Sequence, residues 1–350
     1  MKISSRLGAV PLPAPQFLNG VFNPNVYICR RASMKPEING DMSKPFWEAA
    51  PRTQPFSDIE GDIKPKPQKE TWAKFLWDDE NLYLGAVIYD DQIWAYMENR
   101  DDVVFHDNDF EFFLDRNGGT HSYFELEVNA RNTLWDLFLS KPYRDGGVPY
   151  DGFDYKGIVS AVKINGELNN PNADNVFWSV EIMIPWKGIA KYGSASEPPK
   201  TGDYYRFNLS RVEWRAEVKD GKYQKKINPE TGLPFPEDNW VYAPTGVVNI
   251  HYPELWAFLV FAGADGKTVF EIPETEKIKW ELRKVYYAQR SHFVEHGVLE
   301  KDIKKLQTEC RQDIVLEITA SMFQAYAECG DLRISIAQDG YTWTEEIQHG

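Results

Sequence analysis

The chain has 350 residues, of which 42 % are hydrophobic and 14 % are aromatic, and its formal net charge at pH 7 is −14. This hydrophobic share excludes a disordered chain, and no apolar run reaches the roughly 18 residues of a transmembrane helix. The acidic balance argues against nucleic acid or an anionic membrane as a partner, because phosphate binding needs clustered Lys and Arg.

The three cysteines, Cys29, Cys310 and Cys329, form no CxxC pair and no Cys/His metal spacing. An odd count cannot close a disulfide framework. A bond between Cys310 and Cys329 stays open, but buried free thiols are the favoured interpretation. Residues 1–34 contain four prolines and predict an extended leader, with a strand at 26–30. The N-terminus lacks the apolar stretch of a secretory signal, which by itself suggests a cytoplasmic protein.

Short strands separated by turn residues follow the leader. Asn39-Gly40 predicts a turn, and residues 47–50 predict one helical turn. Residues 71–77 and 82–89 predict a β-hairpin, because the four residues between them favour a turn. A short helix is expected at 186–192, after a proline. Further strands are predicted at 158–164, 176–185, 204–214 and 255–261.

Two strands, at 110–115 and 123–129, carry carboxylates on alternate residues. A period of two places alternate side chains on opposite faces of a strand. The core face carries Phe110, Phe112, Leu114, Phe124, Leu126 and Val128. The opposite face, called the acidic face below, carries Glu111, Phe113, Asp115, Tyr123, Glu125, Glu127 and Asn129. An aromatic and polar loop is expected after these strands, up to Asp145.

Many short strands with Gly, Pro, Asn and Asp between them predict an all-β fold, an antiparallel β-sandwich, at residues 35–263. Apolar residues from Ile278 to Phe293 then recur at helical spacing, and Gly297 follows as a C-cap. A short helix is expected at 300–308. Strands are expected at 314–319, 322–328, 332–337 and 341–347. Residues 275–350 therefore predict a small α+β C-terminal lobe.

Carbohydrate binding is the chemistry that these residues favour. Sugars present C–H faces that stack on aromatic rings, and hydroxyl groups that need planar polar partners. The aromatic candidates, expected to be exposed in loops, are Trp94, Phe105, Trp135, Tyr143 and Trp240. The polar candidates are His106, Glu111, Glu127, Asn129, Asp136, Arg144, Asp145, Asn208, Arg211, Glu213 and His251.

Two other chemistries stay open. Glycoside hydrolysis needs two carboxyl groups about 5–10 Å apart. The acids that offer such a pair are Glu111, Glu125, Glu127 and Asp136. Hard oxygen ligands for a metal such as calcium are Asp107, Asn108, Asp109 and Asp115, although turn capping is the favoured role of these side chains. An EF-hand beginning at Asp115 fails, because its twelfth position is Leu126. No nucleophile elbow, nucleotide-binding loop or HExxH motif is present.

Several motifs, taken in chain order, resemble the family 9 carbohydrate-binding modules. They are Ile38-Asn39-Gly40-Asp41 with Phe46-Trp47, Leu76–Tyr83, Asp109–Asp115, Phe177–Trp186, Arg206-Phe207-Asn208 and Asn249–Trp256. Residues 106–147 and Arg211-Val212-Glu213-Trp214 are similar to the stand-alone family 9-like proteins. The resemblance covers about residues 36–262 and leaves out the C-terminal lobe.

The resemblance implies a β-sandwich, often calcium-stabilised, that binds sugar between aromatic side chains in an extracellular or periplasmic protein. In the family, such modules bind the reducing ends of plant polysaccharides and are attached to xylanases. The two sandwiching tryptophans of the family fall at Phe105 and at about Ile250 or His251, so this pair is not reproduced. The expected replacements are Trp94, Trp135, Trp214 and Trp240.

The sequence therefore predicts a non-catalytic protein that binds a plant-type poly- or oligosaccharide such as xylan and is linked to polysaccharide breakdown. The alternative is a glycoside hydrolase with Glu111 and Glu127 as acid and base. A third interpretation is a family fold that has lost its ligand. No cofactor is required and calcium stays open, while neither nucleic acid nor a membrane is an expected partner.

Overall fold

The computed structural model describes residues 20–190, 198–306, 308–311, 313–319 and 321–348. Most of the predicted leader, residues 1–19, lies outside this range. The strands of the main body are β1 (Val26–Arg31), β2 (Ser57–Asp58), β3 (Thr71–Trp77), β4 (Asn81–Tyr89), β5 (Asp109–Asp115), β6 (Tyr123–Asn129), β7 (Leu134–Leu139), β8 (Pro149–Tyr150), β9 (Val159–Asn165), β10 (Phe177–Pro185), β11 (Tyr204–Glu213), β12 (Ala216–Lys219), β13 (Lys222–Lys225), β14 (Asp238–Val241) and β15 (Ala257–Ala262).

Local sequence explains why several elements begin and end where they do. The β3–β4 hairpin closes because Asp78 Oδ1 accepts hydrogen bonds from the backbone amides of Glu80 and Asn81, at 2.8 and 2.7 Å. The predicted hairpin is therefore confirmed. Helix α1 covers Trp186–Ile189, and the predicted end at residue 192 lies outside the described residues. The predicted helical turn near residue 47 is a 3₁₀ helix at Pro45–Ala49.

The main body is one curled sheet that closes over its own core, which confirms the predicted β-sandwich. Strands follow the order β8-β7-β6-β5-β11-β15-β1-β3-β4-β10-β9, with β14 and β2 beside β11. Phe75 on β3 lies 5.7 Å from Phe112 on β5 and 5.2 Å from Phe207 on β11, measured between ring centres. Since β3 and β5 are separated by three strands within the sheet, these contacts require the sheet to fold over on itself.

Strand β1 differs from the prediction of a purely antiparallel sheet. It pairs in parallel with both β15 and β3, whereas the other pairings of the described strands are antiparallel. The strand joins the two halves of the sheet, and Cys29 at its centre is fully buried in the core. Residues 26–31 therefore belong to the sandwich, and a domain boundary at residue 35 excludes one of its central strands.

Four further strands lie where the sequence predicted no strand. Residues 134–139 form β7, which pairs with β6 over its whole length. A run of mostly apolar residues, LWDLFL, has no visible alternation, so its strand character was missed. Strands β12 and β13 form a separate hairpin, and β14 pairs with β11.

The C-terminal lobe has the predicted composition of a helix and a small sheet. Helix α2 covers Glu274–His296 and ends at Gly297, whose φ of +71° is a left-handed C-cap. The strands of the lobe are β16 (Val315–Ile318), β17 (Phe323–Cys329), β18 (Leu332–Ala337) and β19 (Thr342–Glu346), in that order in one antiparallel sheet. The second helix is a 3₁₀ helix at Ile303–Leu306.

The lobe packs on the sandwich through buried polar contacts. The Tyr286 hydroxyl on α2 donates a hydrogen bond to Asp145 at 2.6 Å, and Arg290 forms an ion pair with the same carboxylate. The Tyr287 hydroxyl donates to Glu254 at 2.7 Å. Helix α2 therefore holds the loop that follows β7. Within the described part of the chain, no helix combines the length and the apolar composition needed to span a bilayer.

Candidate functional site

The acidic face is built by β5, β6 and β7. Glu111 on β5 lies directly opposite Glu127 on β6, and Glu127 lies directly opposite Trp135 on β7. Because alternate residues share a face, Asp109 and Glu125 point to the same side as these three. The other end of the face is apolar, and its side chains are Phe113, Tyr123, Leu137 and Leu139, covered by Trp256.

The carboxylates on this face are buried, not solvated. Asp109 is 0 % exposed, Glu127 2 % and Glu111 6 %. Burial raises the pKa of Glu111 to about 7, although the Ser210 hydroxyl opposes the shift. Burial also raises the pKa values of Asp109, Glu125 and Glu127, and the neighbouring carboxylates raise them further. The face therefore concentrates acid groups that are poorly hydrated and mutually repulsive.

Two aromatic pairs border these acids. The rings of Phe105 and Trp135 are stacked, with centres 6.1 Å apart and planes at 29°. The Phe105 amide donates a hydrogen bond to Glu127 Oε2 at 2.9 Å. On the other side, Tyr143 meets His251 edge to face at 4.6 Å. Burial, and then the charges of Glu125 and Glu127, raise the pKa of Tyr143.

The exposure of these rings suits ligand contact. Tyr143 is 40 % exposed, and Phe105 and Trp135 are partly exposed, which agrees with their prediction as surface aromatics. Trp135 lies on a strand, not in a loop as predicted. His251 Nδ1 lies 2.9 Å from the Tyr123 hydroxyl, and burial together with the Arg144 charge lowers the pKa of His251 to about 3. This imidazole is therefore neutral at physiological pH.

A tryptophan and a lysine extend the aromatic border. Trp214 Nε1 donates a hydrogen bond to the Phe105 carbonyl oxygen at 2.8 Å, which fixes the loop that carries Phe105. Lys225 Nζ lies 3.2 Å from the centre of the Trp214 ring, a cation–π contact. The sequence pointed to Trp214 through its family motif. It gave no signal for Lys225, because the β12–β13 hairpin was not predicted.

Three polar candidates, Asp136, Arg211 and Glu213, do not lie on the acidic face. Asp136 alternates with Trp135 and points to the opposite side, where it accepts a hydrogen bond from the Tyr155 amide at 2.6 Å and pairs with Arg100. Arg211 is opposite Phe110 and therefore also faces inward. It forms an ion pair with Glu213 at 2.8 Å. Their predicted contact with a ligand on the acidic face is wrong, since strand register turns them away.

Two aromatic candidates are core residues. Trp94 is 3 % exposed and Trp240 is 7 % exposed, so the prediction that both lie exposed in loops is wrong. Trp240 belongs to β14 and packs its ring 5.1 Å from the Arg211 guanidinium. Trp240 and Glu213 line a groove of about 710 Å³, which Trp214 of the aromatic border also lines.

Other predicted contacts are occupied within the protein. Asn129 donates to Asp107 at 3.0 Å and to the Met97 carbonyl oxygen at 2.9 Å. Arg144 is buried and binds Glu254 through both carboxylate oxygens, at 2.9 and 2.8 Å. Asn208 bonds the backbone of Ala243, and Asp145 bonds α2 as described above. These side chains shape the site and do not face its opening, whereas His106 is exposed beside Phe105.

The structure does not assemble the predicted metal ligands Asp107, Asn108, Asp109 and Asp115. Asp107 Oδ2 accepts hydrogen bonds from the Tyr96 and Met97 amides, both at 2.8 Å. The Asp115 carboxylate caps the following turn, accepting from the amides of Asn117, Gly118 and Thr120. Asn108 bonds Glu213 and the Trp214 amide. Asp109 alone joins other carboxylates, those of Glu111 and Glu127.

Comparison with known proteins agrees with this architecture. Residues 38–201 match the family described as carbohydrate family 9 binding domain-like, so the predicted resemblance is confirmed over this segment. No curated protein matches the chain.

Solved structures with the same fold include a protein of Bacteroides uniformis whose proposed role is carbohydrate binding. It is 11 % identical, with a TM-score of 0.50, covering 68 % of this chain and all of its own. A family 9 module of Caldicellulosiruptor kristjanssonii, solved with cellotriose and with glucose, is 16 % identical over 70 % of this chain and all of its own. Its TM-scores are 0.42 and 0.41. At these identities the first likeness concerns the fold alone, and the module structures are too distant to support an argument.

Proposed function

We propose that this chain, whose residues 38–201 match the family 9 carbohydrate-binding domain-like model, binds a plant-type poly- or oligosaccharide on its acidic face without cleaving it. The observation that carries the proposal is the pairing of partly exposed aromatic rings with buried acids. Phe105 and Trp135 offer a flat stacked surface beside Glu127. Aromatic faces bind the C–H surfaces of sugars, and carboxylates accept hydrogen bonds from sugar hydroxyls.

The second aromatic pair defines the opposite side of the proposed site. Tyr143 is exposed and is oriented by His251, which is neutral and hydrogen-bonded to Tyr123. A sugar ring on this face would meet Trp135 and Tyr143 as apolar surfaces. The family's pair of tryptophans is thus replaced by mixed aromatic residues. A role in polysaccharide breakdown, including attachment to xylan, is part of the proposal.

The proposal is tested by affinity electrophoresis in gels containing soluble xylan, β-glucan or a cellulose ether. The wild-type chain is expected to be retarded by at least one glycan. Trp135→Ala is expected to lower the affinity at least tenfold, which corresponds to about 1.4 kcal/mol. Trp343→Ala is the matched control, because Trp343 is also partly buried but lies on β19 of the C-terminal sheet. Equal retardation of wild type and Trp135→Ala contradicts the site. Absence of retardation in every glycan favours a family fold without a ligand.

A glycoside hydrolase is the second candidate, and one observation favours it. The pKa of Glu111 is raised by burial to about 7, which suits a general acid at neutral pH. The nearest oxygens of Glu111 and Glu127 lie within 4.8 Å, at the short end for a catalytic pair. Hydrolysis predicts new reducing ends when the chain is incubated with plant oligosaccharides, and their loss in Glu111→Gln. The binding proposal predicts no new reducing ends.

A further inference from the structure

The outer face of strands β3, β4 and β10, which are not the strands of the acidic face, carries a groove. Trp72 lies directly opposite Val87, and Val87 lies opposite Ser179. In the neighbouring row, Tyr89 lies opposite Phe177. Residues that alternate with these side chains pack in the core, so these side chains point away from it. They line a groove of about 530 Å³, called the Trp72 groove below.

The groove is the part of this outer face that the chain leaves open. The 3₁₀ helix at Pro45–Ala49 covers the other part, where it packs on Leu76 and Tyr83. Tyr89 and Phe177 stay partly exposed, with ring centres 5.8 Å apart and planes at 61°. Partly exposed aromatic rings that line a groove suit the C–H faces of a sugar.

The Trp72 groove holds a positive charge that no acid of the described residues pairs. Its charged lining residues are Asp41, Arg52 and Lys163, and Lys163 pairs with Asp41 at 2.8 Å. The exposed Arg52 guanidinium lies 3.9 Å from the centre of the Trp72 ring and forms no ion pair within the described ranges. Burial, and then the charge of Arg52, lower the pKa of Lys74, the next residue on this face of β3. Arg52 is therefore available to an anion.

Trp72 adds a hydrogen-bond donor that has no acceptor. The side chain is 5 % exposed, and its Nε1 donates to no group of the described structure. Most buried donors are paired, because an unmade hydrogen bond leaves the cost of lost hydration. An indole N–H and a guanidinium are both donors without acceptor capacity. What this pair lacks is an acceptor, and a carboxylate is the strongest acceptor for charged donors.

We propose that the Trp72 groove binds a uronic acid, a sugar that carries a carboxylate. Arg52 and Trp72 donate hydrogen bonds to the carboxylate oxygens. The rings of Tyr89 and Phe177 contact the C–H face of the sugar. The volume of the groove is within the range of small-ligand sites, about 300–1,000 Å³. Its lining residues all fall within residues 38–201, the segment that matches the carbohydrate-binding family.

This inference goes beyond the proposed function, because it adds a second site on other strands for a different class of sugar. On the acidic face a uronate would lie beside the carboxyl groups of Glu111 and Glu127. In the Trp72 groove it lies beside a guanidinium. The chain would therefore bind neutral and acidic sugars on separate surfaces, and each site is measured in variants of the other.

The direct test is isothermal titration calorimetry of the full chain with trimers of galacturonic acid and of glucuronic acid. Each trimer is compared with the same trimer after its carboxyl groups are reduced to alcohols. The comparison uses Trp135→Ala, so that the acidic face contributes little to binding of the neutral form. At least one acidic trimer is expected to bind with one molecule per chain, about tenfold or more tighter than its reduced form. Equal affinity of the acidic and reduced forms of both trimers overturns the proposal.

Two variants assign the carboxylate contact to its residues. Arg52→Gln, at an exposed position that the fold tolerates, should weaken binding of the acidic trimer about tenfold or more. Arg333→Gln is its control, because that guanidinium also lies over a ring, 4.3 Å from the centre of Tyr326, but in the C-terminal sheet. Trp72→Phe keeps a ring and removes the N–H, and should weaken binding about threefold or more. Trp280→Phe is its control, because that indole is also 5 % exposed with an unpartnered N–H, but lies on α2. Unchanged affinity in Arg52→Gln or in Trp72→Phe overturns the proposal.

The two proposals fail in different experiments. Retardation by a neutral glycan should be lost in Trp135→Ala and kept in Arg52→Gln, whereas binding of the acidic trimer should be kept in Trp135→Ala and lost in Arg52→Gln. If a neutral glycan binds but no acidic trimer does, the second site is overturned and the proposed function stands. If an acidic trimer binds through Arg52 but no neutral glycan is bound, the second site stands and the proposed function is overturned.

Discussion

Glu254 connects three parts of the molecule, and its replacement by glutamine is the sharpest test of how the lobe docks. The residue precedes β15 in the sandwich. Its carboxylate binds Arg144 from the loop after β7 and the Tyr287 hydroxyl of α2, and Arg283 Nε lies 3.9 Å away. Glu254→Gln keeps the shape of the side chain but removes the anion beside two buried guanidinium groups, of which Arg144 retains a 3.3 Å contact with Asp145 as its anionic partner.

The expected cost follows from the protonation equilibrium. Burial alone would raise the pKa of Glu254, but the charges of Arg144 and Arg283 outweigh it and lower the pKa to about 2. A fall from the usual 4.5 to about 2 corresponds to about 3 kcal/mol of stability. Removing one partner of a buried ion pair costs a similar amount, about 3–5 kcal/mol. We therefore expect Glu254→Gln to lower the free energy of unfolding by about 3 kcal/mol at pH 7.

The sign of the pH dependence follows from the lowered pKa. The folded carboxylate holds its proton less tightly than the unfolded one. Its contribution is therefore fully present above about pH 4.5 and is lost as the pH falls toward 2. Urea denaturation should show a difference between wild type and Glu254→Gln that is about 3 kcal/mol at pH 7 and shrinks steadily below pH 4.5. Glu217→Gln, at an exposed position, should follow the wild type throughout. A difference in unfolding free energy below about 0.5 kcal/mol at pH 7, which is the size of typical mutational scatter, refutes the argument. A difference that does not shrink in acid refutes it as well.

Four further substitutions test the fold and the assignment of the site. Trp240→Ala should lower the free energy of unfolding by about 3–5 kcal/mol, because a buried indole is removed, while the acidic face stays intact. Gly147→Ala should cost about 1–3 kcal/mol, because its Cβ would lie 1.8 Å from the Lys141 carbonyl oxygen. Gly146→Ala should cost less, about 1 kcal/mol, since its Cβ meets no atom within 4 Å and the cost comes from φ of +82°. Glu181→Gln should cost about 1–3 kcal/mol, because its buried carboxylate accepts bonds from two amides, a lysine and an indole.

Urea denaturation of each variant checks these values. A Trp240→Ala variant as stable as wild type would place that ring outside the core. Equal losses of unfolding free energy in Gly146→Ala and Gly147→Ala would show that a shift of the loop relieves the contact with the Lys141 carbonyl oxygen. If Glu181→Gln lowers the free energy of unfolding by only a few tenths of a kcal/mol, water replaces the hydrogen bonds that the Glu181 carboxylate accepts.

Much of the fold was predictable because its signals are local. The β3–β4 hairpin follows from turn residues that cap their own backbone, and α2 follows from helical spacing and Gly297. Strands β7 and β14 were missed for the opposite reason. Residues 134–139 are apolar on both faces, so no period of two distinguishes them from a buried loop.

The candidate site was predicted less completely than the fold. The alternation on β5 and β6 correctly placed Glu111 and Glu127 together on one face. It gave no register for β7, so Asp136 and Trp135 were assigned to the same surface although they point to opposite sides. A shift of one residue in register exchanges the two faces of a strand, and register is set by pairing with a distant partner.

The sequence by itself determined which residues share a face within each strand, where turns and the helix end, and that acids accumulate on one surface. The tertiary structure decided which surfaces are covered. Curling of the sheet buried Trp94 and Trp240, closure by neighbouring loops removed Asp109, Glu111 and Glu127 from bulk water, and α2 fixed the loop that carries Tyr143. Local periodicity depends on the backbone geometry of a few residues, whereas burial and the convergence of charges depend on contacts between segments far apart in the chain.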